Sequence, residues 1–221
     1  MNSGKTAGGE QSLTVRAVLF DLDGTLIDTI PLIRWTFERV FADFGLPWEN
    51  GEVLHTVGLP LREIAARYMP DRADEFMERY AAFQKTRFRE LTRAYPGAVE
   101  TLATIKSAGY RTGVVTSKRR EPALASLALT GLDQHIEAVV TADDVTKPKP
   151  DPEPVFKALE LLHTRPQNAA YIGDSWYDVV AGKQAGVTTV GATWGIASRE
   201  QLAEHAPDII VDSWDEFLAN L

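Results

Sequence analysis

Arg16-Ala17-Val18-Leu19-Phe20-Asp21-Leu22-Asp23-Gly24-Thr25-Leu26-Ile27-Asp28 is an apolar run that stops at two acids placed two residues apart. The unbroken hydrophobicity of residues 16–20 predicts a strand covered on both faces, with Asp21 at its carboxyl end. In an open α/β sheet that edge is where ligands bind. Two acids bracketing one backbone turn can hold a divalent cation while one stays free to attack. Gly24 and Thr25 let the chain turn sharply there. Asp and Gly are also ordinary turn formers, so the weight of the reading comes from what the chain places at its other strand exits.

Three further segments carry polar groups to such exits. The apolar stretch 113–115 ends in Thr116, Ser117 and Lys118, two hydroxyls and an ammonium that suit phosphate oxygens. Lys149 sits in the proline-stiffened loop 147–154, just before an apolar-periodic helix. Tyr171-Ile172-Gly173-Asp174-Ser175-Trp176-Tyr177-Asp178 again ends a short strand in acids. Each segment alone has an ordinary structural account as a cap, a loop charge or a turn. Together, in this order and each at a strand exit, they describe one site.

On these residues the chain resembles the haloacid dehalogenase superfamily of aspartyl-phosphate hydrolases, over nearly its whole length from about Arg16. Asp21 to Thr25, Thr116, Lys149 and Gly173 to Asp178 stand as the four family motifs. The resemblance implies Asp21 as nucleophile, Asp23 as general acid and base, Thr116 as a phosphate donor and Lys149 as the charge clamp. It implies Mg2+ held by Asp21, Asp23 through its carbonyl, and Asp174. Asp178 would orient Lys149 or a water on the metal, with Ser117, Gly24 and Thr25 in support. The family's dehalogenase branch lacks the second acid, so Asp23 argues against dehalogenation.

The chemistry is sensible on its own terms. A carboxylate attacking a phosphate meets like charge, so cations must be supplied first. Magnesium prefers oxygen ligands, which this site offers. Transfer to Asp21 followed by attack of water on the acyl phosphate is nucleophilic catalysis, with Asp23 serving both halves.

Between the first and second motifs the pattern turns purely helical. Ile33, Phe37, Val40, Phe41 and Phe44 share one face of a helix starting at Pro31 and stopped by Gly45-Leu46-Pro47. Leu61, Ile64, Ala65 and Tyr68 mark a second helix; Phe76, Tyr80, Phe83, Arg87, Phe88 and Leu91 mark a third. This segment resembles the family's α-helical cap. The division expected is a disordered lead over 1–12, a core over 13–28 and 93–221, and a cap over 29–92, with hinges at 29–31 and 93–97. After it strand and helix alternate to the end, which calls for a Rossmann-like parallel sheet with helices on both faces.

Composition fits this assignment. The 221 residues are 44% hydrophobic, contain no cysteine, and carry 31 acidic against 23 basic side chains for a formal charge of −8. That balance disfavours nucleic acid as a partner. The lack of cysteine excludes disulfides and suits a reducing compartment. No apolar run is long enough to span a membrane, and a cytoplasmic location is expected. The expected partner is a small phosphorylated substrate. Gly58-Leu59-Pro60-Leu61 resembles the cap loop of phosphoglycolate phosphatases, which makes Gly58 and Arg62 candidates for substrate choice. Residues 141–162 and the run from Ala181 resemble the family's bacterial pyrophosphatases. A phosphosugar mutase and a non-catalytic phosphate-binding regulator are the alternative readings. Trp176, inside the fourth motif, is a candidate to face the cap or simply to pack, and Trp194, after a strand, a candidate to edge the site.

Overall fold

Strand β1, Ala17–Phe20, has all four residues buried and lies at the centre of a six-stranded parallel sheet. The computed structural model describes residues 15–221, so the lead expected over 1–12 lies outside it. After a two-residue strand β2, Ile27–Asp28, come helices α1, Ile30–Phe44, α2, Leu61–Tyr68, and α3, Ala73–Arg87. The chain returns through β3, Arg93–Ala94, and then alternates. It forms α4, Ala98–Ser107; β4, Arg111–Val115; α5, Arg120–Thr130; β5, Ala138–Val140; α6, Glu153–Leu161; and β6, Ala169–Gly173. The run closes with α7, Trp176–Ala185; β7, Thr188–Ala192; α8, Arg199–Glu204; β8, Ile209–Val211; and α9, Trp214–Ala219.

The sheet order is β5-β4-β1-β6-β7-β8. β1 therefore pairs with β4 on one side and β6 on the other, placing Leu19 opposite Gly113 and Tyr171. Successive side chains of a strand point to opposite faces, and the core divides accordingly. Val18, Phe20, Val114 and Ile172 join one apolar cluster; Ala17, Leu19, Val115 and Tyr171 join the other. Burial on both faces explains why the motif strands read as continuous apolar runs rather than alternating ones.

The helical insertion has a third cluster of its own, built on Phe37, Phe41, Ile64, Phe76 and Tyr80. The Phe37 and Tyr80 rings lie 4.9 Å apart. Gly45 ends α1 in the left-handed conformation, φ +66°, as its place in the sequence predicts. Two features differ from the sequence reading. α3 stops at Arg87, so Phe88 and Leu91 fall in a following turn closed by Leu91 N–H to the Arg87 carbonyl at 2.9 Å. A 3-10 stretch over Glu49–Thr56 was not foreseen; it is kinked by positive φ at Asn50 and Gly51 and lacks the helical apolar spacing.

The second segment expected as a hinge, 93–97, is bonded to the residues just before the first. β2 and β3 form a two-residue antiparallel ladder, Ile27 opposite Ala94 and Asp28 opposite Arg93. Among the described residues no helix is long and apolar enough to cross a membrane.

Candidate active site

The strand ends gather the motif residues because β1 lies between β4 and β6. Asp21 follows β1 directly, and its amide donates to the Ile172 carbonyl at 2.9 Å; Thr116 follows β4, and its amide donates to Val140 at 2.9 Å. Asp174 follows β6. This is the crevice beyond the carboxyl ends of the strands, where the neighbours of β1 run off in opposite directions.

Lys149 is the hub. Only 2% of it is exposed. Its Nζ donates to Asp21 Oδ1 at 2.6 Å and to Asp178 Oδ1 at 2.6 Å, with the Tyr171 hydroxyl at 3.3 Å. Burial alone would push the ammonium pKa down, but Asp178 and Asp21 outweigh it and hold it above the ordinary lysine value. Asp178 is held from every side. Its Oδ1 also accepts from the Tyr171 hydroxyl at 2.7 Å, and its Oδ2 accepts from the Ser175 amide at 3.1 Å and the Ser175 hydroxyl at 2.5 Å. The bond from the Ser175 amide is one arm of the capping box that opens α7. Asp178 is thus fixed in direct contact with Lys149.

Asp174 is 1% exposed and accepts from Thr25 Oγ1 at 3.0 Å and from the Ile196 amide at 2.7 Å. Glycines make room for it. A Cβ at Gly24, where φ is +92°, would lie 2.1 Å from Asp174 Oδ2, and one at Gly195 would lie 2.2 Å away. The sequence marks Gly24 through its motif but gives no signal for Gly195, which approaches from beyond β7.

Carboxylate oxygens of Asp21, Asp174 and Asp178 lie within 4.8 Å of one another. Three acids facing one lysine leave negative charge in excess. Burial first, and the neighbouring acids second, raise Asp21 well above the usual carboxylate range, and burial with the Asp178 charge lifts Asp174 to about 7. A hard divalent cation fits such a buried oxygen-donor set. The Asp178 oxygens accept two bonds each, the Asp174 oxygens one each, from Thr25 and Ile196, and Asp21 accepts from Lys149 on Oδ1. Asp21 Oδ2 accepts no hydrogen bond and faces the cavity above the strand ends.

Asp23 lines the same cavity but stands outside the Lys149 cluster. Its Oδ1 accepts from Lys118 Nζ at 2.5 Å and from Thr29 Oγ1 at 2.6 Å. Thr29 is the residue before α1, and it turns its hydroxyl to Asp23 instead of capping that helix. The pairing of Lys118 with Asp23 spans 95 positions and has no local sequence signal; the run 118–120 reads equally as a solvated helix start. Arg119 and Arg120 do pair at the surface, with Asp143 and Asp144.

Three expectations change. Arg62 does not line the cavity; it stands exposed on α2 in an ion pair with Asp74 at 2.9 Å. Ser117 lines the cavity, but its hydroxyl donates to the Gly58 carbonyl at 2.5 Å, bridging core and insertion rather than waiting for phosphate. Trp176 does not line the cavity; its ring stacks on His205 and lies against Tyr177. Gly58 itself is placed as expected, in the lining; its φ is +112°, and a Cβ there would meet the Tyr177 ring at 2.6 Å. Trp194 donates from Nε1 to the Thr25 carbonyl at 3.0 Å and so buttresses the first motif.

The site thus sets the buried Asp21 and Lys149 at the mouth of a cavity of about 280 Å3 between sheet and insertion, an arrangement that suits an α/β phosphoryl-group hydrolase. A family model described as haloacid dehalogenase-like hydrolase matches residues 18–192, and the chain belongs to that family. A protein named pyrophosphatase PpaX from Bacillus velezensis is 40% identical over 206 residues, covering 92% of this chain and 95% of its own. Another of that name from Anoxybacillus flavithermus is 37% identical over 210 residues, covering 95% and 98%. In fold the chain is similar to a crystal structure from Haemophilus somnus described as a predicted phosphoglycolate phosphatase, with TM-score 0.86, 24% identity and coverage of 94% and 98%. Within the family this chain is a phosphatase.

Proposed function

We propose that the chain is a magnesium-dependent phosphohydrolase that passes the phosphoryl group of a small phosphorylated compound, or of pyrophosphate, through Asp21 to water. The observation that carries this reading is Asp21 itself: buried at the end of β1, clamped on one oxygen by Lys149, and open to the cavity on the other. The names of the pyrophosphatase relatives support pyrophosphate as a substrate, and the Gly58 loop supports phosphoglycolate-like esters.

Asp21 and Asp174 would hold magnesium, with the Asp23 carbonyl beside them. Bound there, it supplies the positive charge that a carboxylate needs to approach a phosphate. The residues do the rest. Asp21 Oδ2 forms the new bond to phosphorus as the ester bond breaks, and Asp23 gives a proton to the departing oxygen. Asp23 then takes a proton from water as that water attacks the acyl phosphate, which releases phosphate and restores Asp21. Thr116 has its hydroxyl oxygen bonded by the Lys118 amide at 3.1 Å, which leaves its proton for a phosphate oxygen. The insertion, residues 29–92, acts as the cap that excludes water, on a core formed by 13–28 and 93–221.

Two measurements test this. Phosphate release from at least one member of a panel of small phosphate esters and pyrophosphate is expected with magnesium and is lost with EDTA; magnesium-independent release would reject the reading. The second is thermal. Asp174 has a folded pKa of about 7, above its unfolded value near 4. Its contribution to stability is therefore present below about pH 4 and is lost as pH rises through about 7. Magnesium binds the ionised form, so the rise in Tm on adding it grows from pH 5.5 to pH 8. A shift independent of pH would remove Asp174 from the ligand set.

A further inference from the structure

The cavity above Asp21 has two unlike walls. Asp21, Asp23, Thr116, Lys118 and Lys149 face it from the sheet, while Ile33, Phe37, Leu59, Ile64, Met77 and Tyr80 face it from the insertion. No residue that the insertion contributes to the lining carries a charge, the remaining polar one being Gln84. Each cation of the lining already has a carboxylate: Lys149 has Asp21 and Asp178, Lys118 has Asp23, and Arg119 has Asp143 at 3.0 Å. The insertion's Arg62 is turned outward to Asp74.

This arrangement bears on what can lie beyond the transferred phosphoryl group. A second anion, whether the other phosphate of pyrophosphate or the carboxylate of phosphoglycolate, would lose its water against hydrocarbon and find no unpaired cation. An uncharged body would instead displace water from Phe37, Ile64 and Met77. The Tyr80 hydroxyl accepts from Gln84 Nε2 at 3.4 Å and keeps its own proton to share with one neutral oxygen.

We infer that the site selects phosphate monoesters whose leaving group is an uncharged, largely apolar alcohol or phenol, and discriminates against pyrophosphate and esters bearing a second anion. The inference rests on the hydrolytic reading above and narrows its substrate class. It separates this chain from the name its relatives carry.

The test compares kcat/KM, in excess magnesium, for phenyl phosphate, n-butyl phosphate, phosphoglycolate and pyrophosphate. Butoxide is a poorer leaving group than phosphate, so intrinsic reactivity works against the expected result. Both esters of uncharged leaving groups are expected about ten-fold or more above the two competitors that bear a second anion, the discrimination typical of an apolar pocket. Met77→Lys, at a part-exposed position of α3, places an ammonium in the wall and lowers that ratio by about ten-fold. A wild-type preference for pyrophosphate or phosphoglycolate overturns the inference and leaves the hydrolytic reading standing. Magnesium-dependent release from none of the four overturns that reading instead. Calorimetry on the Asp21→Asn protein supplies an arm free of turnover and of the wall variant: phenyl phosphate binds with a more negative heat-capacity change than pyrophosphate, and the reverse order overturns the inference.

Discussion

Asp21→Asn lowers kcat by on the order of 10⁴-fold or more, yet leaves the metal-free protein at least as stable as the wild type at pH 8. The two halves of this result have one cause. The amide matches the carboxylate in shape and can still accept from Lys149, but it cannot form an acyl phosphate. Burial, together with the charges of Asp178 and Asp174, raises the Asp21 pKa well above the ordinary range against the pull of Lys149. An acid with a raised folded pKa supports the fold below its unfolded value and withdraws that support as pH rises through the folded one. Above the unfolded carboxyl's ordinary value the wild-type side chain therefore opposes folding, and a neutral isostere removes the opposition. Turnover within about ten-fold of wild type would take Asp21 out of the nucleophile's place.

Lys149→Met produces the opposite pattern in stability. Methionine fills much of the volume, but Asp21, Asp174 and Asp178 then share a space of 4.8 Å with no cation among them. Breaking a buried pair by removing one partner costs about 3–5 kcal/mol. For a chain of this size that corresponds to a fall in Tm of roughly 10 °C. The fall is full at pH 8 and shrinks towards pH 5, because Asp21 and Asp174, whose pKa values burial already raises, take up protons and cease to repel. The kcat falls by about 10²- to 10³-fold with the loss of the charge facing the phosphate. Thermal scans in EDTA at both pH values decide the cause. An equal fall in Tm at the two would assign the loss to packing instead of charge.

Three of the candidate site residues are legible because each lies where an apolar run stops, and burial on both faces of the sheet makes that stop abrupt. Asp21, Thr116 and Asp174 need no contact map to be found. Helix α1 is equally plain, with Pro31 near its start and Gly45 at its end. What stays hidden is pairing at a distance. Lys118 reads as one of three surface cations until the fold sets it on Asp23, 95 positions away. Ser117 reads as a phosphate donor until Gly58, 59 positions away, takes its proton. Arg62 misleads for a different reason: helical spacing says which positions share a face, but not which face a charged residue at the edge will choose, and Asp74 on α3 draws it outward. The two-residue strands β2 and β3 are too short to leave any alternation to read.

That short ladder fixes how the molecule can diversify. The chain leaves the core at Asp28 and re-enters it opposite, at Arg93, so the sheet experiences everything in between as a loop already closed. Closure entropy grows only slowly with the length enclosed, and the register of β1 on β4 and β6 does not depend on what the loop contains. The enclosed helices are therefore exchangeable cargo: lineages can lengthen, shorten or repaint them, altering which compounds are admitted, while the machinery beneath is inherited unchanged.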